Sequence, residues 1–385
     1  MPGARVAAAI DILDQIAAGQ AAEQALTRWA RANRFAGSKD RAAVRDHVFD
    51  VLRHWRSDAV RGGGQTGRAR MIGRLRAQDA DLDALFTGEG HAPARLTDAE
   101  RGASGAPIAI GDRWDLPDWL VPEFQDSLGD DAERTALALT YRAPVTLRVN
   151  LAKTTRDAAR EGLAQERIAA VDNPRADTAL TVQEGARRVR NARLYLSGAV
   201  EIQDAASQAA VAGFAGGGQA LDFCAGGGGK ALALAALGWS VTASDINAAR
   251  MRDLPTRAAR GGHDIRICPQ DMLTPEAAYD LVFVDAPCSG SGTWRRAPHG
   301  KWALTPDQLD ALCATQREVL TLAARHVAPG GALAYATCSV LHRENQAQID
   351  VFLDRHNGFS LGRVQHWPVD DWGDGFFTAH LTREV

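Results

Sequence analysis

The chain is 385 residues long, more than one hydrophobic core usually supports, so two or three domains are expected and a single small binding module is excluded. Hydrophobic residues make up 45% and charged residues 24%, which argues against general disorder, a collagen-like repeat or a coiled coil. The formal charge of −3 gives by itself no reason to expect nucleic acid, but between Arg28 and Arg76 stand thirteen basic and four acidic residues, an electrostatic footprint suited to phosphates. The five cysteines, Cys224, Cys268, Cys288, Cys313 and Cys338, are odd in number and never form C-x-x-C. They read as free thiols of a reducing cytosol, not as disulfides or a zinc ribbon. The apolar run Val6–Ile10 is too short for a signal-peptide core, and no window approaches the roughly 20 apolar residues that span a bilayer. A soluble cytoplasmic protein with no membrane or metal partner is expected.

In chain order, residues 1–85 carry apolar positions three or four apart: Val6, Ile10 and Leu13; Ala22, Leu26 and Trp29; Val44, Val48, Val51 or Leu52, and Trp55. This spacing predicts an all-helical domain with arginines on the faces left over. The turn-rich Gly62-Gly63-Gly64 and an irregular stretch from about Thr87 to Asp112 separate it from the next region, with 86–135 as linker and helical connection. Residues 136–205 change to alternation, with Val145, Leu147 and Val149 on one strand face, a helix over Asp157–Leu163, and short strands at Ile168–Val171 and Leu180–Val182. A small α+β region results. From 206 to 385, apolar runs ending in Asp or Cys alternate with helical stretches: Ala220–Phe223, Val241–Ser244, Ile265–Ile267, Leu281–Val284, a long helix Pro306–His326, and Ala332–Ala336. That is an α/β pattern, a parallel sheet with helices on both faces, which binds ligands at the carboxyl ends of its strands.

The first of these strands runs into Cys224-Ala225-Gly226-Gly227-Gly228-Gly229-Lys230. Four glycines in a row permit positive φ and close approach of a ligand to the backbone. The dinucleotide spacing G-x-G-x-x-G fails, since Ala231 stands three after Gly228, and a P-loop fails because Lys230 is followed by Ala231. Asp245, closing the second strand, can accept hydrogen bonds from both hydroxyls of a ribose, which leaves NAD and S-adenosylmethionine both open. Asp271, after the third strand, is placed to bond an adenine amino group. Further on, one buried strand presents Asp285 and Cys288, and a later one presents Cys338. A lone cysteine is usually a small buried hydrophobe; two at strand ends beside a carboxylate point to chemistry.

Asp222–Lys230, Asp285–Gly292, the stretch from Thr293 to Pro306, Ala336–Val340 with Glu344 and Asn345, and the ending Asp374–Phe377 together resemble the RsmB/Nop/Sun family of RNA cytosine-5 methyltransferases, over about residues 140–385. The helical start, with Arg31, Arg34, Asp40 and Arg41 before Val48–Arg53, is similar to the NusB-like domain of the RsmB branch. The resemblance implies a Rossmann-like, S-adenosylmethionine-dependent methyltransferase domain, preceded by a small α+β domain and an all-helical NusB-like domain. It also implies methylation of carbon 5 of a cytosine, most readily in 16S ribosomal RNA, by a monomer.

Carbon 5 of cytosine is a poor nucleophile, so a thiolate must first add to carbon 6. By resemblance Cys338 attacks, Cys288 assists product release, Asp285 contacts the cytosine ring, and Lys230 favours the charged species. Residues 224–230, Asp245, Asp271 and Asp285 would hold the cofactor. Arg295, Arg296, His299 and Lys301 are expected to line the RNA path. The family's loop commonly has Pro where this chain has Gly227, so a less rigid loop is expected. A DNA-type cytosine-5 methyltransferase with Cys288 as nucleophile, a transfer-RNA methyltransferase and a non-catalytic RNA-binding assembly factor are the other readings. The second cysteine argues against the first of these.

Overall fold

Helical spacing in the first third of the chain becomes a bundle. The computed structural model describes residues 1–103, 105–214, 216–274 and 278–385, and packing divides it into two units, Met1–Arg142 with Trp294–Leu304, and Ala143–Thr293 with Thr305–Val385. In the first unit, helices Pro2–Ala17, Ala22–Ala32, Ser38–Arg53 and Gly67–Ala77 close their apolar stripes around Val6, Leu13, Leu26, Val48, Leu52 and Met71. Gly62-Gly63-Gly64 is no domain boundary. It turns between helices Trp55–Gly62 and Gly67–Ala77, whose backbones touch: a Cβ on Gly73 would lie 1.9 Å from the Asp58 carbonyl oxygen. The unit runs on through short helices to Ala132–Ala138.

Many arginines of the basic stretch are used inside this unit. Arg45 bridges Glu23, Arg56 bridges Asp112 and Asp118, and Arg68 bridges Glu100. Arg76 donates to the carbonyls of Arg61, Glu100 and Ala103, while Arg61 and Arg74 lie 3.5 and 3.9 Å from buried Asp58. The exposed cations of the stretch, Arg28, Arg31, Arg34, Lys39, Arg41 and Arg45, lie on the second and third helices and the turn between them.

Of the residues expected along an RNA path, Arg295 and Lys301 are instead buried in this helical unit. Lys301 Nζ donates to the Arg53 carbonyl at 3.1 Å and Trp302 Nε1 to the Leu52 carbonyl at 2.7 Å. Both satisfy carbonyls that the last turn of a helix leaves without partners. Arg53 Nε in turn donates to the Arg295 carbonyl at 2.8 Å. Arg296 is exposed and His299 half-buried.

The second unit holds two sheets. Strands β1 (Val145–Val149), β2 (Ala169–Asp172), β3 (Ala179–Glu184) and β4 (Val200–Ile202) form an antiparallel sheet in the order β2-β3-β1-β4. The larger sheet contains β5 (Gln219–Asp222), β6 (Ser240–Ala243), β7 (Ile265–Ile267), β8 (Tyr279–Asp285), β9 (Val327–Thr337), β10 (Phe359–Trp367) and β11 (Phe376–Arg383), in the order β10-β11-β9-β8-β5-β6-β7. Strands β5 to β9 pair in parallel, and β10 and β11 close one edge antiparallel. The apolar pattern of the sequence gives no sign of that hairpin. One core lies on each face, around Leu232, Leu254 and Phe283 on one side and Val282, Leu320 and Tyr335 on the other. Helix Pro306–Ala324 starts on a capping box in which Thr305 and Gln308 each satisfy the other's backbone N–H. The smaller sheet is sewn to the larger one by Asn150 Nδ2 on the Gly261 carbonyl, 2.8 Å, and Arg175 on the carbonyls of Pro368 and Asp374. No helix among the described residues is long and apolar enough to cross a membrane.

Replacing Lys301 by Met is expected to cost the helical unit roughly 1–3 kcal/mol, because a buried carbonyl loses its donor. Urea unfolding followed by circular dichroism measures it, and an unchanged midpoint would refute the capping role.

Candidate active site

The parallel strands deliver the chemistry-bearing residues to one edge. Asp222 ends β5, Asp245 follows β6, Asp271 follows β7, Asp285 ends β8 and Cys338 follows β9. At the cofactor end, Gly226 and Gly228 take φ of +52° and +81°, and a Cβ on Gly228 would lie 2.3 Å from Leu254. Glycine is therefore required there for backbone and packing reasons at once. Ala225 is buried, its N–H bonded to the Ser244 carbonyl at 2.9 Å.

Asp245 is buried and already engaged. Its carboxylate accepts from Gly226 N at 2.8 Å, Asn247 N at 2.9 Å and Arg250 Nη1 at 3.1 Å. The exposed Arg250 is the partner that a ribose diol can displace. The Gly227 carbonyl is held by Arg257, which itself pairs with Glu201 at 3.5 Å. This guanidinium restrains the loop where the sequence suggested looseness.

A cleft of about 600 Å³ opens beside the loop, lined by Phe223, Asp245, Ile246, Pro269, Asp271 and His326. Apolar walls with two carboxylates suit a nucleoside, so the donor set fits the adenosine of S-adenosylmethionine. Cys224 borders this end, but burial and then the charge of Asp222 push its thiol far above the ordinary range, which leaves it inert as a nucleophile.

The reactive end is built by β8 and β9. Asp285 pairs with Ala336 in register, and Gly292 N bonds the Cys338 carbonyl at 2.9 Å, so the two cysteine turns are neighbours. Cys288 Sγ and Cys338 Sγ are 3.5 Å apart. Lys230 Nζ sits 2.6 Å from Asp285 Oδ2 and lies over the Phe376 ring. Burial works against the Lys230 cation, but the charge and hydrogen bond of Asp285 outweigh it and raise its pKa.

The two sulfurs diverge. The hydrogen bond from Cys288 favours the Cys338 thiolate, and Lys230 and a Thr293 hydrogen bond act in the same direction against burial and Asp285, so its pKa falls below the ordinary value. The same hydrogen bond, then burial and the charges of Cys338, Glu344 and Asp285, push Cys288 well up. The arrangement is a more acidic thiol, Cys338, beside a less acidic one, Cys288, next to a lysine–carboxylate pair.

Lys230, Asp285, Cys288 and Cys338 are thus brought together, and Asp245 and Asp271 line the cleft beside the glycine loop. Sequence reasoning assigned no role to Asp222, Thr293 or Glu344. Asp222 is fully buried, and burial followed by the charge of Asp285 pushes its pKa up to about 7. Its position at a strand end, two residues before Cys224, was the available signal. Among the described residues no group of His, Cys, Asp or Glu is arranged to hold a metal ion.

Fold and site define a Rossmann-like methyltransferase, and comparison with known proteins agrees. Residues 215–382 match the family described as 16S rRNA methyltransferase RsmB/F, and residues 116–189 match the ferredoxin-like domain of RsmF/B-like methyltransferases. A ribosomal RNA small subunit methyltransferase B of Xanthomonas campestris pv. campestris is 33% identical over 304 residues, 71% of this chain and 68% of that protein. The crystal structure of PH0851 shares the fold with a TM-score of 0.77 at 23% identity, covering 100% of this chain and 99% of that one. A methyltransferase homologue from Pyrococcus horikoshii shares it at 0.62 and 22%, covering 70% and 96%. The chain belongs to the RsmB/F family of 16S rRNA methyltransferases. It is accordingly an RNA methyltransferase that uses S-adenosylmethionine.

Asp245→Ala is expected to weaken S-adenosylmethionine binding by roughly 1–3 kcal/mol, through loss of a charged hydrogen-bond acceptor. Calorimetry measures it, and wild-type affinity would remove Asp245 from the cofactor site. Asp222 binds its proton more tightly folded than unfolded, so the stability it contributes is complete below the ordinary aspartate value and lost as pH rises toward about 7. Asp222→Asn should therefore raise the urea midpoint more at about pH 8 than at about pH 5; an equal shift at both would contradict this.

Proposed function

We propose that this protein methylates carbon 5 of a cytosine in 16S ribosomal RNA, in the cytoplasm and as a monomer, through a covalent bond from Cys338 to carbon 6. The reading is carried by the paired sulfurs 3.5 Å apart, of which Cys338 is held the more acidic and Cys288 the less. Few reactions need two cysteines so placed. Cytosine-5 methylation needs one sulfur to join the ring and a second group to help it leave.

S-adenosylmethionine, held along the glycine loop and Asp245, supplies an electrophilic methyl group. Cys338 adds its electron pair to carbon 6, and the Lys230–Asp285 pair faces the ring edge where negative charge develops. Carbon 5, now an enamine carbon, takes the methyl group. Cys288 then assists release: the hydrogen on carbon 5 leaves as a proton to water, the pair of that bond forms the carbon 5–carbon 6 double bond, and the carbon 6–sulfur bond breaks with its own pair returning to Cys338. The target base must leave its stack to reach a half-buried sulfur.

Cys338→Ala is expected to abolish methyl transfer and form no adduct. Cys288→Ala should still attack and methylate, then accumulate as a protein–RNA complex that survives denaturing gels. A stable complex with Cys338→Ala and none with Cys288→Ala would reverse the roles. Bisulfite sequencing of ribosomal RNA with and without the protein identifies the base.

A further inference from the structure

Behind the two cysteine turns lies a carboxylate to which the reaction assigns no part. Glu344 is completely buried in the short turn His342–Glu344, and its oxygens collect four donors. Ser289 supplies two, its N–H to Oε1 at 2.7 Å and its Oγ to Oε2 at 2.5 Å. Ser339 Oγ donates to Oε2 at 2.5 Å, and Gln316 Nε2, from helix Pro306–Ala324, donates to Oε1 at 3.0 Å. Ser289 follows Cys288 and Ser339 follows Cys338, so one side chain grips the residue after each sulfur.

Further bonds extend this lattice. Since Ser339 Oγ spends its hydrogen on Glu344, the 2.8 Å contact between Ser291 and Ser339 has Ser291 as donor. Val340 N in turn donates to Ser291 Oγ at 2.9 Å, and Leu341 N to Ser339 Oγ at 3.0 Å. Gln316 Nε2 also donates to the Pro287 carbonyl at 2.9 Å, and Tyr335 Oη to the Glu344 carbonyl at 2.6 Å. These four donors tie both oxygens of the Glu344 side chain into the lattice.

We propose that Glu344 is a positioning residue for the cysteine pair: its buried carboxylate locks the Ser289 and Ser339 turns at one spacing and places a fixed negative charge behind Cys288, so that Cys338 is the sulfur left free to attack. This rests on the covalent mechanism proposed above. Around Cys338 the charged or polar groups are Lys230, Asp285, Thr293 and Cys288. Around Cys288 they are Cys338, Glu344 and Asp285, with Tyr335 close by. Lys230 is the cation of the set, and it acts on Cys338. Glu344 is an anion whose charge, from behind the Ser289 turn, raises the Cys288 thiol, so removing its charge should narrow the difference between the sulfurs.

The test uses the full chain carrying Glu344→Gln or Glu344→Asp. Gln keeps the size but sets amide hydrogens against serine donors; Asp keeps the charge. Two readouts are taken, single-turnover methyl transfer to ribosomal RNA and mass-spectrometric mapping of iodoacetamide labelling at Cys288 and Cys338 across pH. Glu344→Gln should slow methyl transfer roughly a hundredfold, as misplacement by an ångström does, leave the KM for S-adenosylmethionine unchanged, and bring the labelling curves of the two thiols together. Glu344→Asp should recover part of the rate and the separation. Wild-type rate and separated labelling curves in Glu344→Gln would overturn the proposal. Should Glu344→Gln fail to fold, Ser289→Ala with Ser339→Ala frees the two turns while keeping the charge, and must slow methyl transfer with the labelling curves still apart; a wild-type rate would overturn the proposal. If Cys288 labels at lower pH than Cys338 in the unmodified protein, the covalent mechanism fails, whatever the variants do.

Discussion

The parallel pairing of β8 with β9 is the constraint on which the site depends. Strand register places Asp285 opposite Ala336, and each strand then gives way to a turn that carries a cysteine. Two sulfurs 50 residues apart in sequence come to 3.5 Å without either turn being long. Short turns on a rigid sheet hold such a distance better than loops do, because ordering a loop costs conformational entropy and its fluctuation spoils the geometry. Helix Pro306–Ala324, which joins the two strands, contributes Gln316 to the same lattice.

The electrostatics follow from that placement. A thiolate in a half-buried site is costly unless charge is arranged for it, and the arrangement here is directional: Lys230 and Thr293 stand toward Cys338, Glu344 toward Cys288. Asp285 opposes the thiolate but holds Lys230 at 2.6 Å, so the cation is kept charged in a buried position at the expense of some of its pull. The pair is nearly neutral as a unit.

The cofactor side shows how a departure from the usual residue is accommodated. Gly227 lacks the restraint of a proline, yet its carbonyl is held by Arg257, and Gly226 is held by Asp245. Both anchors come from elements that follow β6, so the glycine loop is stiffened from its neighbours instead of from within. The helical unit uses its charge in a comparable way. Of the arginines between Arg28 and Arg76, those beyond Arg53 mostly satisfy carbonyls and carboxylates inside the unit, and the exposed cations lie on the second and third helices and the turn between them.

The sequence by itself determined the α/β alternation, the positions of Asp222, Asp245, Asp285 and Cys338 at strand ends, and the helical character of the first third. These are local properties, set by apolar spacing of two or about 3.6 and by glycines that permit positive φ. The hairpin of β10 and β11 was not legible, because Phe359–Trp367 mixes Gly362, Arg363 and His366 into a largely exposed edge strand with no clean alternation. Nor was the burial of Arg295 and Lys301 legible: a basic residue reads as solvent-facing until a helix end supplies carbonyls that need donors. The ordering of the two thiols belongs to tertiary structure too. Each cysteine has the same ordinary acidity, and only the tertiary placement that bonds the two sulfurs to each other, with Lys230 and Thr293 on the Cys338 side and Glu344 on the Cys288 side, lowers one and raises the other.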